Sequence, residues 1–211
     1  MDLTTKYMGL TLKNPIVPSA SPLSKDIDSA RRLEDAGASA LVMYSLFEEE
    51  IEDDEDMYDR SLNQDIGHGE ASSYLPIDDC EDSHLDLYFT QLSALKDALE
   101  IPVIASLNGN SMGGWLEHAL QLEQMGADAL ELNVYHVPAD ITESGASVEQ
   151  RYIDLLIELR KKIRIPIAMK LSSQFSSPGN MVKRLDEAGA DAVVLFNRFY
   201  QPDIDLNSLY V

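Results

Sequence analysis

Gln124-Met125-Gly126-Ala127-Asp128-Ala129-Leu130-Glu131 is one of three copies of a phrase in the chain. The other two are Asp35-Ala36-Gly37-Ala38-Ser39-Ala40-Leu41-Val42 and Glu187-Ala188-Gly189-Ala190-Asp191-Ala192-Val193-Val194. Each follows a helical pattern and leads into a short apolar run. A glycine just past a helix accepts the left-handed conformation that ends it, and a buried strand begins almost at once. A second phrase alternates with the first: Asn14-Pro15-Ile16-Val17-Pro18-Ser19, Ile101-Pro102-Val103-Ile104-Ala105-Ser106 and Ile165-Pro166-Ile167-Ala168-Met169-Lys170. There proline stops the preceding helix and β-branched residues enter a strand.

Working outward, the chain reads as strands alternating with helices. Expected strands lie near 15–20, 39–45, 102–107, 128–134, 165–171 and 191–196. Expected helices lie near 25–36, 84–99, 113–125, 148–163 and 178–188. In the fourth, Ile153, Leu156, Ile157 and Ile163 share a side, with Arg160-Lys161-Lys162 in the last turns. Alternating strands and helices imply a parallel sheet, so the fold class is α/β. The repeated unit favours a TIM-type (β/α)8 barrel. The alternative is an open Rossmann-like sheet, but no G-x-G-x-x-G follows the first strand. A full barrel needs about 250 residues, and this chain has 211. The reading is one incomplete barrel domain over 1–211, with about six of eight βα units, interrupted by an acidic insertion at about 46–83.

Composition narrows the function. Sixteen Lys and Arg against 37 Asp and Glu give a net charge of −21. That balance disfavours nucleic acid and anionic membrane as partners. One cysteine excludes an intrachain disulfide, and no apolar run reaches membrane-span length. A cytoplasmic location is expected, with a small-molecule substrate and a homo-oligomer among the possible assemblies. The insertion carries nine acids in the twelve positions 48–59, which is read as a solvated loop.

Barrel chemistry sits at the C-terminal ends of the strands. Those positions hold Ser19-Ala20-Ser21, Tyr44-Ser45, Ser106-Leu107-Asn108-Gly109, Asn133-Val134-Tyr135-His136, Lys170-Leu171-Ser172-Ser173 and Asn197. Lys170 follows an apolar run and points inward, where a cation needs an anionic or electron-rich partner. A ligand is one such partner; an ion pair with Glu131 on the adjacent strand is the other. Asn108, Asn133 and Asn197 each offer donor and acceptor to a heterocyclic ring, or else cap strand ends. His136 is a candidate acid or base, or an exposed loop residue. His68, His84 and His118 have no metal-ligand spacing, so no metal is expected. Cys80 lies between Asp79 and Glu81, which makes it a poor nucleophile.

At these residues the sequence resembles the dihydroorotate dehydrogenase family of FMN-dependent barrel enzymes, its dihydroorotate dehydrogenase-like branch in particular, from residue 1 to about 197. The opening Gly9-Leu10-Thr11-Leu12-Lys13-Asn14-Pro15 is similar to the family's GL-x-LKNP phrase. The resemblance implies an oxidoreductase of pyrimidine biosynthesis that passes a hydride from dihydroorotate, or a related small ring, to FMN. It implies flavin contacts from Ala20, Ser21, Ser45, Asn108, Asn133 and Lys170. Asn133 and Asn197 would face the substrate, and the catalytic pair would be Lys170 and His136. His136 stands where the family carries a Cys or Ser base, and Met43-Tyr44-Ser45 where it carries Lys-Ser or Lys-Thr. The Gly-rich turns that hold the FMN phosphate in the family have no counterpart in the sequence. A non-catalytic truncated barrel, or a subunit dependent on a partner, is the competing expectation.

Overall fold

A computed structural model of the chain describes residues 1–51, 53–54, 83–109, 112–134, 136 and 138–197. Two short strands come first, β1 (Thr5–Tyr7) and β2 (Leu10–Leu12), paired antiparallel. Their two-residue turn has Met8 at φ 52° and Gly9 at φ 74°, the positive pair that suits a right-twisted hairpin. The main sheet has five strands: β3 (Leu41–Phe47), β4 (Val103–Gly109), β5 (Ala129–Val134), β6 (Ile167–Leu171) and β7 (Ala192–Leu195). Between or before them lie α1 (Ile27–Asp35), α2 (His84–Ala98), α3 (Met112–Gln124), α4 (Gly145–Arg160) and α5 (Pro178–Ala188).

All main-sheet pairings are parallel and the spatial order equals the chain order, β3-β4-β5-β6-β7. An open Rossmann sheet reverses direction at a switch point; this one winds one way, as the wall of a β/α barrel does. The α/β reading holds.

The repeated phrase explains how each joint is made. Gly37, Gly126 and Gly189 all take positive φ, at 108°, 90° and 103°, the left-handed step that releases the chain from its helix. Two residues on, the Ser or Asp ties the new strand to the foot of the one before. The N–H of Ser39, Asp128 and Asp191 donates to the carbonyl of Ile16, Val103 and Ile167 respectively. The Asp128 carboxylate then accepts from Val103 N–H at 2.7 Å and that of Asp191 from Ile167 N–H at 2.8 Å. Ser39 instead donates its hydroxyl to the Asn14 and Ile16 carbonyls. Three residues before the glycine, Glu34 accepts from the N–H groups of Glu100 and Ile101, and Glu123 from those of Arg164 and Ile165.

The segment expected as the first strand, 15–20, is not a regular strand. It still runs beside β3, since Ile16 and Pro18 carbonyls accept from Ser39 and Val42. Ile16 holds the place that Val103 and Ile167 hold in later units. Two residues on, however, Pro18 has no N–H to return a bond, and the ladder cannot complete. The β1–β2 hairpin was not expected. Helix α4 begins at Gly145 rather than near 148, because Ser144 caps it by accepting from Ser147 N–H. The helix ends at Arg160, so Lys161 and Lys162 lie beyond it. Its buried stripe is Tyr152, Ile153, Leu155, Leu156 and Leu159, and Ile157 faces solvent instead of the core. Of the insertion, 46–47 complete β3 and 48–51 and 53–54 are helical; residues 52 and 55–82, with His68 and Cys80, lie outside the described residues.

The sheet separates two cores. Leu41, Met43, Val103, Ala105, Leu130, Leu132, Ile167 and Met169 pack with the helices. The alternate residues Val42, Ile104, Ala129 and Ala168 form the opposite face, closed at its foot by Met8 and Leu12 of the hairpin. That second face carries the candidate site.

Candidate functional site

Above its apolar foot, the inner face turns polar one residue pair at a time. Ile104 gives way to Ser106 and Asn108 on β4, Ala129 to Glu131 and Asn133 on β5, and Ala168 to Lys170 on β6, by the two-residue alternation of a strand. Register sets these side by side: Ser106 opposite Glu131, Asn108 opposite Asn133, Asn133 opposite Lys170. On β3 a one-residue bulge between Val42 and Ser45 returns Ser45 to this face, opposite Ser106. The two serine hydroxyls are 2.9 Å apart. The Tyr88 hydroxyl of α2 reaches the slip in register, accepting from Ser106 N–H at 2.9 Å and donating to its carbonyl at 3.2 Å. Burial pushes the Tyr88 phenol far above its ordinary range.

Lys170 finds its counter-charge within the protein. Its ammonium is 3.2 Å from the Glu131 carboxylate, and the two side chains are only 13 % and 4 % exposed. The ion-pair alternative is thus realised. Glu131 also acts toward the hairpin: burial first, and its charge second, push the Tyr7 phenol up. At the rim, the Asn197 amide donates to Asn133 Oδ1 at 2.8 Å, while its backbone N–H bonds the Leu171 carbonyl at 2.7 Å. Lys170, Glu131, Asn133 and Asn197 therefore form one cluster of charge and amide at the strand ends. The cluster offers hydrogen-bond donors and acceptors side by side.

The other expected residues take different places. Ala20 packs against the inner-face core. Ser21 opens the short 3-10 turn Pro22–Lys25, and its carbonyl accepts from Ser24 N–H and hydroxyl. Ser24 in turn accepts from Tyr44 N–H at 2.7 Å, linking that turn to the β3 bulge. Where the resemblance leads one to expect a lysine on β3, Tyr44 carries the Lys25 ammonium over its ring at 4.7 Å. His136 stands in a group of its own: its Nε2 lies 2.8 Å from an Arg151 guanidinium nitrogen and 3.5 Å from Glu143. His84 pairs with Asp54 at 2.9 Å, and His118 lies 3.3 Å from Gln121.

Three residues escaped the sequence reading. Glu143 and Arg151 sit in a loop and on a helix, and no spacing ties them to His136. Glu48 is the third, a buried carboxylate at the end of β3. A β-carbon on Gly109 or Gly114 would collide with its oxygens, so both glycines make room for it. Read as part of an acidic run, it carried no signal of its own.

No protein-family profile matches the chain. Curated proteins do. A dihydroorotate dehydrogenase B (NAD(+)) catalytic subunit from Thermoplasma volcanium is 25 % identical over 98 % of this chain and 65 % of its own length. The subunit of the same description from Methanocella arvoryzae is 28 % identical over 99 % and 66 %, and that of Methanocaldococcus jannaschii 21 % identical over 98 % and 66 %. The chain thus spans about two thirds of the length of these relatives. Among solved structures, a candidate dihydrodipicolinate synthetase from Pseudomonas aeruginosa superposes with a TM-score of 0.50 at 14 % identity, over 84 % of this chain and 54 % of that one. That likeness concerns the fold alone and is of barrel type. Along nearly its whole length, then, the chain is similar in sequence to proteins described as dihydroorotate dehydrogenases, the family its Gly9–Pro15 phrase resembles.

Proposed function

We propose that this chain forms the ring-binding part of an FMN-dependent oxidoreductase of the dihydroorotate dehydrogenase kind. Its substrate is dihydroorotate or a related small ring. The observation that carries the reading is the inner-face cluster: Lys170, buried and paired with Glu131 at 3.2 Å, stands beside Asn133, which Asn197 holds at 2.8 Å. This donor set fits a flavin's pyrimidine edge, which needs a cation and both senses of hydrogen bond. FMN, when bound, supplies the hydride acceptor.

The chain's own residues do the rest. Lys170 keeps a positive charge against the ring's carbonyl edge. Asn133 and Asn197 orient the substrate, and Ser45, Asn108 and the backbone around Ala20 and Ser21 line the flavin. His136 is the candidate proton acceptor. The relatives described as catalytic subunits favour an assembly with a further subunit over a solitary chain. A cytoplasmic location and a place in pyrimidine biosynthesis belong to the same proposal.

The test is titration of the purified chain with FMN, read by flavin fluorescence. Saturable quenching is expected. The double variant Lys170→Gln with Glu131→Gln, which leaves no unpaired buried charge, should weaken it at least about tenfold, the scale of one charge-assisted hydrogen bond. Absence of saturable binding, or equal binding by the variant, overturns the assignment.

A further inference from the structure

His136 follows β5 by two residues, at the mouth where Asn133 and Lys170 lie. One of its ring nitrogens is already taken. A guanidinium has only donors, so the Arg151 nitrogen 2.8 Å from Nε2 must give a proton to the Nε2 lone pair. The rival contact, Nε2 donating to Glu143 Oε2, spans 3.5 Å and is much the weaker. Glu143 instead serves the arginine. Its other oxygen is 2.5 Å from a second Arg151 nitrogen, and its side chain is only 11 % exposed, against 55 % for Arg151. The carboxylate holds the guanidinium by charge, and the guanidinium reaches the imidazole. A neutral ring that accepts at Nε2 carries its one proton on Nδ1.

We infer that Arg151, anchored by Glu143, is a positioning residue that holds His136 as the Nδ1–H tautomer. The ring then meets a substrate as a hydrogen-bond donor and withholds its Nε2 lone pair until Arg151 turns away. This rests on the reading of His136 as the group that handles the substrate's proton, and it adds a condition: proton uptake at Nε2 follows release from Arg151. The half-exposed guanidinium has solvent to turn into, whereas the mostly buried carboxylate behind it does not.

The experiment is long-range proton–nitrogen correlation spectroscopy of the full chain with labelled histidine, at mildly alkaline pH, without flavin or substrate. His136 is assigned by the signals that disappear in His136→Gln. The wild-type ring should show its proton on Nδ1 and an acceptor pattern at Nε2. Arg151→Met should lose that pattern in favour of Nε2–H. Arg151→Lys, which still donates, should keep it, and Glu143→Gln should lose part of it. An Nε2–H ring in the wild type, or an unchanged spectrum in Arg151→Met, overturns the proposal. Preserved amide dispersion shows that each variant folds. Because no flavin enters the measurement, failure of FMN binding and failure of this inference are read separately.

Discussion

Lys170 and Glu131 are each other's condition for being inside. With the side chains 13 % and 4 % exposed, neither charge is tolerable alone. Lys170→Met should lower unfolding free energy by about 3–5 kcal/mol, the usual cost of orphaning a buried charge. Lys170→Met with Glu131→Leu should recover most of it, and urea unfolding of the three chains checks both. Tyr88 makes a second commitment. Its phenol is pushed far above the ordinary 10.0 because burial disfavours the anion. The unfolded chain therefore releases this proton first. The stabilisation is intact below about pH 10 and declines as pH rises beyond it. Tyr88→Phe should flatten that alkaline slope while costing about 1–3 kcal/mol at neutral pH, because Ser106 N–H loses its acceptor. Thermal unfolding against pH reads both effects. At this scale the inward lysine was legible, since an apolar run surrounds it and strand alternation places Glu131 on the same face. The company His136 keeps was not, because Glu143 and Arg151 reach it through the path of a loop.

Among the elements, the joints were legible and the first strand was misleading. Gly126 shows why the repeat could be read: at φ 90° with open space around its α-carbon, it is needed for its backbone alone. Gly126→Ala should cost about 1 kcal/mol, a purely conformational penalty. Glu123→Ala, which releases the N–H groups of Arg164 and Ile165, should cost about 2 kcal/mol. Melting followed by circular dichroism should rank the two in that order. Pro18 hid in a convincing strand pattern because hydropathy does not register a missing donor. The hairpin stayed invisible for a related reason: Met8-Gly9 is not a sequence that announces a two-residue turn, and Met8 is held at φ 52° by burial beneath the sheet.

For the molecule as a whole, charge works against compactness. A chain at −21 repels itself, and exposed charges are screened over roughly 8–10 Å at ordinary salt. Added sodium chloride should therefore raise the melting temperature, and a flat response would contradict the self-repulsion argument. The acidity itself was legible from composition. One Glu of the run, Glu48, leaves the solvent to lie over Gly109 and Gly114, which only the folded chain displays.

The ties made by Ser39, Asp128 and Asp191 all sit at the strands' entry ends, opposite the polar mouth. Architecture and chemistry thus occupy separate ends of the same sheet. A lineage is free to rewrite the segment leaving each strand while every joint stays closed. In this chain β3 leads into the acidic run that begins at Glu48, and β5 is followed by His136. Innovation at the mouth carries no debt to the foundation, and new specificities are most readily grafted there.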